Sequence, residues 1–523
     1  MFRIGFLLVF LSGIIYPAQA QKSNRPDKQG LNAVPPAQIA SAARAYRLAH
    51  EHAIIHEFTE LLSIPNTASD LANIHKNAEA ITILLEKRGI HSQLLAIPGR
   101  GPVVFGELAS PGAKHTLIFY AHYDGQPVEP GQWIATEPFA PALRTDSIDA
   151  DGKLIDFPSA GTPFQDNWRI YARSAGDDKA PIVAVLAAID ALRANQIPLA
   201  VNLKFVFEGE EEAGSTHLES TLLAHRDLLA GDLLIAADGP VHQSGRPLVC
   251  FANRGSVPVA ITVYGPLHSL HSGHYGNWVP NPAMRLAQLL ASMKDSDGHV
   301  LIEGFYEGVV PPGPSERRAM EDAPAYDADL LRSFGIAGAD GGGKKLLEMI
   351  MQPSLNIDGL ESGWVGAQAK TIIPDRAIAS LDLRLVKNIL PVQQFDRLVA
   401  HIRKQGYYVI DREPTMEERL KYSRIARVTL EGGYPAWGTT MDLPVSRALV
   451  RVANEATGGS LVVLPLMGGS TPMYIFENLG LPVISVPIAN YDDNQHSPNE
   501  NLRLGHFWRG IELFAALLGD LNW

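Results

Sequence analysis

A chain of 523 residues is too long for a single hydrophobic core, and a net charge of -12 argues against nucleic acid or an anionic membrane surface as its partner. Its 46% hydrophobic content is that of an ordinary globular protein, and about 150 residues per domain allows two to four domains. One cysteine, Cys250, excludes intrachain disulfides and thiolate metal sites.

The N-terminus differs from the rest. Met1-Phe-Arg3 carries one positive charge, Ile4 to Tyr16 is almost wholly apolar, and Ala18-Gln-Ala20 is a small-x-small cleavage site. Residues 1–20 read as a removed secretory signal rather than a retained anchor, so a secreted or periplasmic protein with no membrane span is expected. Residues 21–37, rich in Gln, Asn, Lys, Pro and Ser, read as a disordered leader.

Periodicity then predicts helices over 36–62, with Ile54, Phe58, Leu61 and Leu62 as an apolar face, and over 72–88. Strands are expected at 92–97, 103–107 and 116–121, followed by a polar surface excursion at 144–167. A strand at 169–172, a helix at 181–195, a strand at 203–207, a helix near 218–225 and a strand at 232–237 continue the alternation. That alternation predicts a mostly parallel sheet flanked by helices. After Asn253 the pattern changes: strands at 257–264 and 377–386 and helices at 282–293 and 392–405 suggest a smaller α+β unit, within which 311–345 looks like an insertion. From about Tyr434 the first unit resumes, with a helix at 445–457, strands at 461–465 and 482–487 and a closing helix at 505–518. The expected layout is 38–254 and 433–523 as one domain and 255–432 as a second domain inserted into it.

Chemistry gathers at strand ends. The apolar run Leu203–Phe207 stops in Glu208, Glu210, Glu211 and Glu212, acids that repel one another unless water or a divalent cation compensates. His122 and Asp124 follow strand 116–121 and, two residues apart, face one spot, as a ligand and its orienting carboxylate would. Asp177 precedes the 181–195 helix, Asp238 ends the 232–237 strand, and His496 lies beyond the 482–487 strand. Taken singly these also fit a solvated acidic turn, a helix cap, a turn aspartate and a loop histidine. Taken together, His122, Asp177, Glu212, Asp238 and His496 can converge on the crevice outside the carboxyl ends of the strands. Two imidazoles and three carboxylates suit two zinc-like ions about 3.5–4 Å apart, one carboxylate bridging.

The motifs His122-Tyr-Asp124-Gly-Gln-Pro127, Arg173-Ser-Ala-Gly-Asp177-Asp-Lys179-Ala-Pro181, Glu208-Gly-Glu-Glu211-Glu212-Ala-Gly-Ser215, Asp238, Leu270-His271-Ser-Gly273 and His496-Ser497 stand in one order. In these residues the chain resembles the M20 metallopeptidases, and within them the dipeptidase branch of carnosinases and PepV-type enzymes, from about residue 45 onward. The resemblance implies a di-zinc peptidase domain with an inserted lid and dimerisation domain. It places His122 and Asp238 on one zinc ion and Glu212 and His496 on the other, with Asp177 bridging and manganese or cobalt as alternative metals. It makes Glu211 the general base and Asp124 the support behind His122. It also implies a homodimer in which His271 reaches the partner's site to stabilise the oxyanion, and Arg384, Gly469 and Ser470 as substrate-binding residues. Asp238, an aspartate and not a glutamate, points to the dipeptidase and aminopeptidase side. Gly176, in place of the usual Ser or Thr, and Ala180, in place of the usual Gly, depart from the pattern. The expected activity is metal-dependent hydrolysis of dipeptides or short peptides, with N-acyl amino acid amidohydrolysis as the alternative.

Overall fold

The computed structural model describes Met1 and residues 34–523. The expected signal at 1–20 therefore lies outside the described residues apart from Met1, as does the expected leader up to residue 33. The leader's last residues are already ordered, because a helix runs Pro36–Leu62. Proline suits the first turn of that helix, where its missing N–H leaves no bond unmade. Ile39, Ala43, Arg47, Glu51, Ile54, Phe58, Leu61 and Leu62 follow a spacing of three and four residues and are all buried, each large apolar side chain contributing roughly 1.5–3 kcal/mol. They pack with helix Lys179–Ala194 and helix Leu504–Asp520. Helix 179–194 is apolar almost all round, as a helix covered on every side must be.

The main sheet has eight strands in the order 91–95, 103–108, 202–208, 116–122, 233–236, 483–485, 248–250 and 462–464. The four central strands, 202–208, 116–122, 233–236 and 483–485, run parallel, and an antiparallel pairing joins them to the outer strands on either side. Parallel neighbours need crossovers, supplied by helix 179–194 between strands 116–122 and 202–208 and by helix Leu218–Ala224 between 202–208 and 233–236. The carboxyl ends of these four strands therefore open on one edge, where His122, Glu208–Glu212, Asp238 and the 487–496 loop follow.

A second sheet is built wholly from chain lying between strands 248–250 and 462–464. Its order is 354–361, 376–385, 255–264, 425–430 and 408–410, antiparallel except for the last pair. Helices Pro282–Ala291 and Pro391–Lys404 pack on it around a core of its own. Asn281 caps the first of these, its side chain accepting the backbone N–H of Ala283 and Met284. Ala252–Asn253 pairs with Trp437–Gly438 where the chain leaves and re-enters the first unit.

Two expectations change. The 144–167 excursion is partly structured, since Ala142–Arg144 and Leu154–Ile155 join Arg169–Tyr171 and Asn501–Arg503 in a small sheet. Strands of two or three residues are too short to leave a periodic signal. The 311–345 insertion carries helices Pro314–Asp322 and Asp327–Phe334, with Leu346–Ile350 just beyond it. No helix among the described residues is long and apolar enough to cross a membrane.

Candidate active site and metal centre

Strand Thr116–His122 is apolar and buried along its length, so its last residue is delivered to the sheet edge with little freedom. There the His122 Nε2 lies 2.8 Å from Asp177 Oδ1, and its Nδ1 lies 3.4 Å from Asp124 Oδ1. Asp124, wholly buried, accepts the backbone N–H of Glu211 at 3.1 Å and of Glu212 at 3.0 Å, one on each carboxylate oxygen. The acidic turn after strand 202–208 is thus tied to the turn after strand 116–122.

Asp177 stands between two imidazoles, with His496 Nε2 3.2 Å from its second oxygen. Its own backbone N–H donates to Glu500, which is completely buried and also accepts the backbone N–H of Ser174 and Gly176 and the Arg173 guanidinium. Glu500 carried no sequence signal beyond its place four residues after His496. A Cβ on Gly176 would come within 2.8 Å of Asp493 Oδ2, which accounts for glycine at this departure from the resembled pattern.

The groups form two triads. His122, Asp178 and Asp238 can bring one ligand atom each within 4.8 Å of one another, and so can Asp177, Glu212 and His496. Asp178 is the addition to the expected set: one of its oxygens accepts the His122 backbone N–H at 3.2 Å, and the other is buried with no partner. Gln126 donates to Glu212 at 2.7 Å. The triads open into a cavity of about 600 Å³ that is also lined by Glu211, Arg384, Gly469 and Ser470. Arg384, on strand 376–385, donates to Ser470 Oγ and to Asp382, each at 2.6 Å. Of the expected residues, His122, Asp124 and Glu212 sit behind the cavity wall, in or against the triads, whereas His271 is neither in a triad nor on the cavity. It is exposed on the short strand Leu270–His271, beside His274. Tyr434, Asn253 and Tyr491 also line the cavity, and sequence reasoning missed them because nothing marks an isolated Tyr or Asn as different from a packing residue.

A model of peptidase family M20/M25/M40 matches residues 118–520. The chain belongs to this family. Among its relatives are the mouse (Mus musculus) Beta-Ala-His dipeptidase, 28% identical over 87% of this chain and 86% of its own length, and the Schizosaccharomyces pombe Cys-Gly metallodipeptidase dug1, 27% identical over 89% and 95%. An M20 family metallo-carboxypeptidase of Sulfolobus solfataricus superposes with a TM-score of 0.73 at 29% identity, covering 90% of this chain and 99% of its own. The secreted or periplasmic location expected from residues 1–20 does not stand, since the yeast Cys-Gly metallodipeptidases related to this chain are cytosolic enzymes.

The buried carboxylates here destabilise one another. Burial, then the nearby Asp177 charge, pushes Glu212 up to about 7 and Asp238 up to about 6. Burial raises Glu211 and Asp178 well above the usual carboxylate range, and it raises Glu208 to about 8 although Tyr120 and Ser215 donate to it. Asp177 is the opposite case: burial opposes its charge, but the two imidazoles hold it below that range. A nitrogen and oxygen donor set, two triads and an unpartnered buried Asp178 oxygen fit a pair of divalent cations.

Proposed function

We propose that the chain is a dipeptidase that uses a pair of metal ions to hydrolyse the peptide bond of dipeptides and short peptides. The observation that carries this reading is the convergence of the two ligand triads, Glu211 and Arg384 on a single cavity. The names of the relatives point the same way, and the acylase alternative finds less support among them.

Zinc suits the histidine and carboxylate ligands, with manganese or cobalt as alternatives. Cations held by the triads would polarise the scissile carbonyl and make a bound water more acidic. Asp177 faces both triads and is the bridging candidate. Glu211 takes the proton of the attacking water on its carboxylate and delivers it to the leaving amine. Asp124 sets the position of Glu211 through the backbone. The Arg384 guanidinium, steadied by Asp382 and Ser470, presents a planar fork to the substrate carboxylate, and Gly469 lets the substrate approach closely.

His271 fits a role in the site of a second copy, where an imidazole would stabilise the oxyanion. The edge strand Ser354–Glu361 supports such a homodimer. It exposes Ile357 and Leu360 beside exposed Trp364 and Val365, an open edge of the kind that pairs with another chain. In this reading 255–432 is the lid and dimerisation domain, and 38–254 with 433–523 is the catalytic domain.

A hydrolysis screen of dipeptides, tripeptides and N-acetyl amino acids, with metal-replete and chelated enzyme, tests the proposal. Dipeptide cleavage that chelation abolishes is expected. Preferential cleavage of N-acetyl amino acids, or activity indifferent to chelation, would overturn it.

A further inference from the structure

The catalytic cavity continues past Arg384. His242, Gln243, Leu464, Met467 and Gly468 line it, and the same five residues line a second recess of about 80 Å³. The recess is closed by the chain between residues 320 and 350, chiefly Met320, Tyr326, Leu347 and Ile350. Its walls are largely apolar, and Leu347 and Met467 pack against the buried cluster of Leu248, Cys250, Val462 and Leu464. The charged groups that reach it, Asp327 and Lys345, are half-buried and exposed respectively.

Three contacts make this recess part of the site. Ile350 Cγ2 lies 3.9 Å from where a Cβ on Gly468 would stand. Arg254 joins the two sides, its backbone N–H donating to the Gly469 carbonyl at 3.1 Å and its guanidinium to the Gln352 carbonyl and Ser354 Oγ at 2.5 and 3.0 Å. The rings of His242 and Tyr326 meet edge to face, 6.4 Å apart. Four consecutive residues, Met467-Gly468-Gly469-Ser470, then run from the recess to the hydroxyl that accepts from Arg384.

We propose that this recess is the specificity pocket for the side chain of the substrate's C-terminal residue, and that residues 320–350 set its size. The inference rests on the dipeptidase reading above. A carboxylate held at Arg384 and Ser470 places its own residue's side chain nearest Met467. Apolar walls favour an aliphatic group there, the small volume disfavours an aromatic ring, and a carboxylate would give up hydration that Lys345, itself exposed to water, offsets only in part.

Two dipeptide series, Gly-X and X-Gly, test this with X as Gly, Leu, Phe and Glu. In the unmodified enzyme, kcat/KM for Gly-Leu should exceed that for Gly-Gly and Gly-Glu by about tenfold or more, the scale on which apolar pockets discriminate. Leu347→Trp fills the recess and should remove that advantage while changing Gly-Gly by less than about threefold. Ile350→Ala widens it and should move the preference toward Gly-Phe. Calorimetry on the Glu211→Gln enzyme, which leaves the peptide intact, should show Leu347→Trp weakening Gly-Leu binding and sparing Gly-Gly. Equal losses on Gly-Leu and Gly-Gly, or a change confined to the X-Gly series, would overturn the assignment. An unmodified enzyme that cleaves neither series would overturn the dipeptidase reading itself, and this inference with it.

Discussion

Asp124 Oδ1 accepts the backbone N–H of Glu211 at 3.1 Å, so the residue behind His122 also fixes where Glu211 stands. Its other oxygen does the same for Glu212. Asp124→Asn keeps the shape but turns an amide toward groups that need an acceptor. A fall in kcat of about 10–100-fold in a folded protein is expected, the range found for partners that orient metal ligands. Steady-state kinetics beside circular dichroism checks it, and unchanged kcat would refute the coupling.

Glu211→Gln removes the proposed base but none of the six ligand candidates in the two triads. Turnover should drop by about 10²–10⁴-fold. Bound metal, measured by plasma mass spectrometry, should stay at the level of the unmodified enzyme. Loss of metal along with activity would show that Glu211 is a ligand instead.

Replacing Arg384 separates charge from geometry. Arg384→Lys keeps a cation but loses the bonds to Asp382 and Ser470, so KM should rise about tenfold or more, in keeping with a charged hydrogen bond worth about 1.5–3 kcal/mol. The same substitution should make little difference to dipeptide amides, which offer no carboxylate. An equal rise for both substrates would remove Arg384 from carboxylate binding.

Metal affinity and stability should respond to pH in opposite directions. Glu212 and Asp238 hold protons up to about pH 7 and 6 in the cation-free fold, against ordinary values of 4.5 and 3.8. The folded state therefore binds more protons than the unfolded chain, and the chelated enzyme loses stability as pH rises through this window. A cation has to displace those protons, so its affinity should rise over the same range. Melting curves at pH 5.5 and 8 should show chelated enzyme weaker at pH 8, with added zinc giving its larger gain there. Cation present at about 100 times its Kd would add about 2.7 kcal/mol.

His506 gives a pH effect away from the metal centre. Burial, reinforced by Arg509 and Arg503, lowers it to about 3, and its Nδ1 is buried without a partner. Its neutral form is favoured in the fold, so stability is complete above about pH 6.5 and declines as pH falls toward 3. At pH 5 the loss should be about 2 kcal/mol, at 1.36 kcal/mol per unit. Urea melts of His506→Leu should show a shallower decline between pH 7 and 5 than the parent, and an identical slope would exclude His506 as its source.

The parallel core and the convergence of His122, Asp177, Glu212, Asp238 and His496 were legible because each follows from local pattern. An apolar strand that stops in a charged residue marks the sheet edge, and open parallel sheets bind ligands in the crevice outside the carboxyl ends of their strands. Strands 354–361 and 425–430 were not legible. Exposed positions such as Asn356, Asp358 and Glu361 break the alternation on the first, which lies at the sheet edge and not in the core. Asp178 and Glu500 escaped for another reason: an acid facing inward at a helix start, or four residues past His496, looks in sequence like an ordinary cap or loop acid. Only the fold shows that one adds to a ligand group and the other holds a loop.

Glu500 joins the segment before helix 179–194 to the last part of the chain, gathering the N–H groups of Ser174, Gly176 and Asp177. During synthesis, a nascent polypeptide that has emerged only as far as the second sheet has neither this clamp nor His496. The hydrolytic centre therefore assembles only once its final stretch has left the ribosome, and unfinished chains carry no competent peptidase.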